Sequence, residues 1–131
     1  MSEAKRAWAL DVLNLVNIER GDAGRPPVAW DEGAAKVAYA HAIDMDQRNF
    51  FEHTNPDRDD PGDRLAAAGL APRDWGENIA QGQQGPDAVM ASWMASMGHR
   101  RNILDPAFTL LGVGLHVRSG GPWWVQDFLA P

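Results

Sequence analysis

The stretch Gly112-Val113-Gly114-Leu115-His116-Val117-Arg118-Ser119-Gly120-Gly121-Pro122-Trp123-Trp124-Val125-Gln126-Asp127-Phe128 decides the fold class. Val113, Leu115 and Val117 alternate with Gly114, His116 and Arg118. Beyond Ser119-Gly120-Gly121, Trp124, Gln126 and Phe128 alternate with Trp123, Val125 and Asp127. A period of two belongs to strands, and the glycines between the two runs supply turn conformations, so a β-hairpin is predicted here. His116 falls on the more polar face and is expected to be solvated.

Upstream the period is helical. Trp8, Val12, Leu15 and Val16 form a stripe that predicts a helix over residues 3–20. Gly21-Asp22-Ala23-Gly24 stops it, and Arg25-Pro26-Pro27 is an extended connector. Asp31 can cap a second helix reaching about Asn49, with Ala34, Val37, Ala38, His41 and Met45 on one side. His41 is expected to be packed or half-exposed. A short helix follows, with Asp60 as cap, Pro61 in the first position and Gly69 as stop. Trp75 to Gln81 reads as a short strand. Pro86 opens another helix, with Val89, Trp93 and Met97 on one face; Gly98 is expected to end it, leaving His99 just beyond. Trp93 and Trp75 both read as packing residues. Helices first and an antiparallel hairpin last indicate a single α+β domain over residues 1–131.

Composition narrows the function classes. A chain of 131 residues with 44% hydrophobic residues can bury one core without staples. The net charge of −6 argues against a nucleic-acid binder, which needs a basic face, and against electrostatic attachment to anionic lipid. The absence of cysteine excludes disulfides, zinc knuckles and thiol catalysis. No stretch approaches the roughly 18 apolar residues of a transmembrane segment, and the first 30 residues carry no signal-peptide core.

His53, Glu77 and His99 each interrupt an apolar pattern beside glycine, proline or asparagine. Imidazole and carboxylate are ligands and proton carriers of polar sites. Each also has a bland reading. His53 can be a loop histidine. His99 can be an imidazolium at a helix C-terminus, where the dipole favours it. Glu77 can be a structural carboxylate bonded to backbone amides. Asp57, Asp59, Asp60 and Asp63 invite a calcium reading, but the EF-hand pattern fails: Pro61 takes a ligand position and Ala68 stands where the bidentate glutamate belongs. No nucleophile elbow, phosphate loop or dinucleotide fingerprint is present.

The order of motifs adds information. Asn17-x-x-Arg20, Pro27-Val28-Ala29-Trp30-Asp31, His53, Gly76-Glu77-Asn78-Ile79-Ala80, Trp93-Met94-x-Ser96-x-Gly98-His99-Arg100-x-Asn102-Ile103-Leu104, Gly112-Val113-Gly114 and Trp124-Val125-Gln126-Asp127-Phe128 follow one another. In that order they resemble the CAP superfamily (SCP-like extracellular domains, bacterial branch), related to cysteine-rich secretory proteins, antigen 5 and pathogenesis-related proteins. The resemblance implies a three-layer α-β-α sandwich, with a small antiparallel sheet between helices and an open cleft. It also implies an extracellular or cell-envelope location. By motif, His53 and His99 correspond to the family's cleft histidines and Glu77 to its first glutamate. The second acidic position falls on Ser96, so the tetrad is incomplete, and Arg100 replaces an aromatic of the eukaryotic members.

Three functions are therefore expected. One is a binding domain holding zinc or another divalent metal on His53 and His99, with Glu77 and Ser96 facing a small ligand, lipid or envelope component. Another is a metal-assisted hydrolase with Glu77 as general base. The third is an adhesive or structural domain with a degenerate cleft. Ser96 favours binding over catalysis because it removes a proton carrier. Asp105 could stand in, but Pro106 gives it a turn role.

Overall fold

In the computed structural model, which describes residues 1–131, the hairpin is the centre of the sheet. β3 (Leu110–His116) and β4 (Trp123–Ala130) pair antiparallel, with Leu115 opposite Trp124 and Val113 opposite Gln126. β2 (Asp74–Gln81) adds antiparallel to the outer side of β4. A two-residue strand that the pattern did not reveal, β1 (Ala29–Trp30), joins β3 in parallel, so the order is β1-β3-β4-β2 and the sheet is mixed. The fold class is α+β, as the sequence predicts.

Helices cover both faces. α2 (Glu32–Gln47) lies across one, and α3 (Pro61–Ala67) borders it at β2. On the other lie α1 (Glu3–Asp22), α4 (Pro86–Met94) and α5 (Met97–Leu104). Asp31 caps α2 by accepting from Ala34 N–H at 2.8 Å. Asp60 and Asp63 form a reciprocal capping box at α3, with Pro61 in its first turn.

The glycines of β3 set the spacing of the layers. A Cβ on Gly112 would meet the backbone of Ala34 and Ala35, and one on Gly114 would meet the backbone of Tyr39. α2 therefore packs against bare strand. Leu111, Val113 and Leu115 point the other way, into a core with Val12, Val16, Val89, Trp93 and Trp124. Trp8 stacks on Trp124 at 5.9 Å between ring centroids.

The Asn17-x-x-Arg20 motif ties the first helix to two distant loops. Asn17 exchanges two hydrogen bonds with the backbone of Val28, at 2.8 and 3.0 Å. Arg20 is fully buried and donates to the carbonyls of Pro26, Ile103, Asp105 and Phe108 at 2.8–3.0 Å. Four carbonyl dipoles replace the carboxylate partner a buried guanidinium ordinarily takes.

Three expectations change. The helix from Pro86 does not run to Gly98. It ends at Met94, the chain turns through an extended Ser96, and α5 begins at Met97. Gly98 has no left-handed φ and lies inside the second helix, so it terminates nothing. His116 is not solvated: its Nε2 lies 2.9 Å from Asp46, and its ring stacks on Trp123. The approach of α2 over Gly112 and Gly114 brings Asp46 to that face. Trp75 is 36% exposed: it lies near the start of an edge strand, with its indole over Gly62 of α3. Trp93 is buried as expected, and His41 is packed.

Gly114→Ala is expected to lose about 3 kcal/mol in urea unfolding, the upper range for forcing a methyl into a packed core. Gly98→Ala has open space around the new methyl and should be neutral or gain up to about 1 kcal/mol. Equal effects at the two positions would contradict the close approach of α2.

Candidate functional site

The site is built on two successive rungs of the β2–β4 pair. Because strand side chains alternate, Glu77 and Asp127 face the α2–α3 layer, while Asn78 and Gln126 face the α5 layer. All four residues are buried. Each rung holds a segment that carries one of the histidines.

On the first face, His53 Nδ1 lies 2.9 Å from Glu77 Oε1. Arg64, projecting from α3, donates through Nη2 to both Glu77 oxygens at 3.2 Å and to the His53 carbonyl at 2.7 Å. One guanidinium thus fixes both the carboxylate and the loop that carries its histidine. The ion pair on one side and Asp127 on the other determine the state of Glu77. Burial pushes the Glu77 carboxyl up, and Asp127 and Arg64 oppose that shift. Asp127 is pushed well above the ordinary carboxylate range by burial and by the charge of Glu77. Neither Asp127 oxygen has a protein donor in reach, so its surroundings favour the neutral acid, whose proton would have Glu77 as the facing acceptor.

On the second face, Asn78 Nδ2 donates to Gln126 Oε1 at 3.0 Å and to the His99 carbonyl at 3.1 Å. Asn102 of α5 donates to Asn78 Oδ1 at 2.9 Å and to the Glu77 carbonyl at 3.2 Å. His99 therefore occupies the first turn of a helix anchored to β2. The helix dipole disfavours an imidazolium there, the reverse of the C-terminal reading. Burial, and then the charge of His53, lower the His99 pKa. Burial, and then Arg64, lower that of His53.

Two hollows open at these residues. One of about 280 Å³ is lined by His53, Glu77, Trp75 and Asn102. The other, about 500 Å³, follows the end of β2 and is lined by His99, Phe51, Ile79, Gln81 and Trp93. The histidines therefore open on neighbouring hollows about one edge strand. Ser96 is the residue preceding α5, and its hydroxyl makes no capping bond. Ser92, which the motif reading did not select, lines the larger groove. Asp105 Oδ1 accepts from Ala107 N–H at 2.9 Å, a turn role. No three His, Asp or Glu side chains converge as a metal cage. Two neutral imidazoles, one oriented by a carboxylate through Nδ1 with Nε2 left over, are nonetheless a donor set that suits a divalent ion with solvent completing it.

Sequence reasoning missed Arg64 and Asp127. Arg64 gave no signal beyond its place in a short helix. Asp127 showed itself only as an acid amid an apolar run.

A mixed sheet between two helical layers, with histidines beside the edge strand of a buried acid pair, describes an SCP-type domain. The profile of the Cysteine-rich secretory protein (CAP) family matches residues 13–128, and the chain belongs to that family. It is 42% identical over 123 residues to YkwD of Bacillus subtilis (strain 168), covering 94% of this chain and 47% of YkwD. An extracellular protein containing a SCP domain from Bacillus anthracis str. Ames superposes with a TM-score of 0.87 at 33% identity, covering 97% of this chain and 41% of that one. An outer surface protein from Borrelia burgdorferi, at 18% identity, shares the fold with a TM-score of 0.83, covering 90% of this chain and 88% of its own. The chain spans less than half the length of YkwD.

Asp127→Asn keeps a donor for Glu77 and should stay within about 1 kcal/mol of the parent at pH 7, whereas Asp127→Ala removes that donor, leaves Glu77 to Arg64 and His53 alone, and should lose about 1–3 kcal/mol. Urea unfolding of the two variants checks both values. A large gain in stability for Asp127→Asn would mean that Asp127 is ionised.

Proposed function

We propose that this CAP domain acts outside the cytoplasm, secreted or at the cell envelope, as a binding domain that takes a divalent ion such as zinc on His53 and His99, whose hollows neighbour each other at the edge of β2. The supporting observation is the His53 Nδ1–Glu77 contact of 2.9 Å. Glu77 is buried and held by Arg64, so it fixes the ring and its tautomer and leaves Nε2 as the available donor. His99 supplies the second imidazole from α5. When bound, the ion supplies a positive, Lewis-acidic anchor for a ligand oxygen. The location draws support from the extracellular and outer-surface descriptions of the Bacillus anthracis and Borrelia proteins.

Binding is favoured over hydrolysis by the state of Glu77. A general base needs a lone pair turned to a solvent molecule. The Glu77 side chain is 1% exposed and already accepts from Arg64 and His53. Asp127, against it, is fully buried and cannot reach a leaving group, and Asp60, on the lining of the same hollow, is engaged as the cap of α3, accepting from Asp63 N–H.

Calorimetric titration with zinc chloride tests this reading. His53→Ala, His99→Ala and Glu77→Gln should each weaken binding at pH 7.5 by about tenfold or more. Both imidazole pKa values are lowered, so both rings stay neutral at and somewhat below the ordinary value of about 6.5. Affinity should therefore persist to that pH and fall as acidification protonates the rings. Equal affinity for the parent and His53→Ala would remove His53 as a ligand.

A further inference from the structure

β2 is an edge strand, and its two sides are unlike. Gly82 N–H donates to Pro122 C=O at 2.8 Å in register with the β2–β4 ladder. In an antiparallel pair, residues alternate between those that bond the partner strand and those whose N–H and C=O point away. Residues 76, 78, 80 and 82 therefore face β4, and residues 75, 77, 79 and 81 present their backbone groups outward. Two side-chain bonds confirm that parity: Asn102 donates to the Glu77 carbonyl at 3.2 Å, and Trp93 Nε1 donates to the Ile79 carbonyl at 3.1 Å.

Those two bonds cover the carbonyls over the middle of the edge. Towards its end the cover stops. The Ile79 N–H, the Gln81 N–H and the Gln81 C=O have no partner within the chain. They open on the 500 Å³ groove, with Phe51, 45% exposed, on its lining and Trp93 buried beneath. A second, independent group is also unsatisfied there. Gln83 Oε1 is sequestered from solvent and has no donor in reach, and Gln83 lines the same groove.

We propose that this end of β2 is a docking edge for an extended, uncharged peptide segment, which adds to the sheet as a further strand alongside Ile79–Gln81. The free groups are backbone donors and an acceptor at two-residue spacing, and an extended polypeptide carries the complementary set at the same spacing. Lining residues select against charge: apart from His99, kept towards its neutral form by burial, none is ionisable. Alternate side chains of such a peptide would meet Phe51 on one side and Ser92 and Trp93 on the other. Exposed edges of this kind are usually blocked by charge, proline or a bulge, and this one carries none of those between Ile79 and Gln83. The groove shares His99 with the proposed ion site, but the free backbone groups are the same with or without an ion, so the docking edge can be tested without metal.

The test is an amide NMR titration of the 131-residue chain in EDTA, with a blocked peptide of about seven alternating Thr and Ser residues as probe. The Ile79 and Gln81 amides should shift, and their exchange with solvent should slow. N-methylating every second residue of the peptide in one phase should weaken binding about tenfold or more, and in the other phase much less. That two-residue dependence marks strand pairing, and a side-chain-only contact would lack it. Gln81→Pro removes an outward N–H and leaves the β4 ladder intact, and edge strands tolerate proline. With an unchanged melting curve it should weaken the peptide about tenfold, and Gln81→Thr should bind like the parent. The proposal is overturned if neither amide responds at millimolar peptide, if both N-methyl phases bind alike, or if a folded Gln81→Pro binds as the parent does. Because EDTA is present throughout, failure here leaves the zinc titration untouched, and loss of zinc binding leaves this result untouched.

Discussion

The site depends on polar pairing across β2 and β4. Glu77 with Asp127, and Asn78 with Gln126, are neighbouring rungs buried inside the sandwich. A buried amide or carboxyl without a partner costs several kcal/mol in an apolar surrounding, so each of these groups must find one. Their partners are the functional segments. Glu77 takes the His53 ring and Arg64, and Asn78 takes the carbonyl of His99 and the side chain of Asn102. Strand alternation sends the rungs to opposite faces, so one strand organises histidines that lie 46 residues apart in sequence (99 − 53).

The scaffold is stiff where this arrangement needs it. Glycines at 112 and 114 seat α2 directly on β3, and α2 leads into the loop that carries His53. Arg20 gathers the carbonyls around the α5–β3 connection, which fixes the far end of the helix whose first turn holds His99. Arg64 does the corresponding job for the His53 loop. All three devices act on backbone, which explains why a small domain without cysteine can hold polar side chains in place.

What was legible in the sequence was local. Asp31 and Asp60 as caps, Pro61 in the first helical turn and the strand period around Gly114 act within a few residues, and the structure places them as predicted. The family order of motifs singled out His53, Glu77 and His99, and the structure sets all three about β2. Asp127 was not legible, because every residue of β4 is buried. On a strand covered on both faces, alternation no longer separates core from solvent, so an acid there looks like a surface residue. The break at Ser96 was hidden by Gly98, whose usual role as a helix stop is cancelled when the next helix has already begun. Asp46 against His116 was hidden for a different reason: the contact spans 70 residues and follows from layer spacing.

The most direct measurement is the tautomer of His53, read from the nitrogen resonances of its imidazole by NMR in metal-free protein at about pH 7.5, well above the ordinary histidine pKa. Glu77, held by Arg64, should fix the proton on Nδ1 and leave Nε2 bare, and Glu77→Gln should relax that preference. A proton on Nε2 in the parent protein would contradict the contact on which both the oriented histidine and the binding site rest.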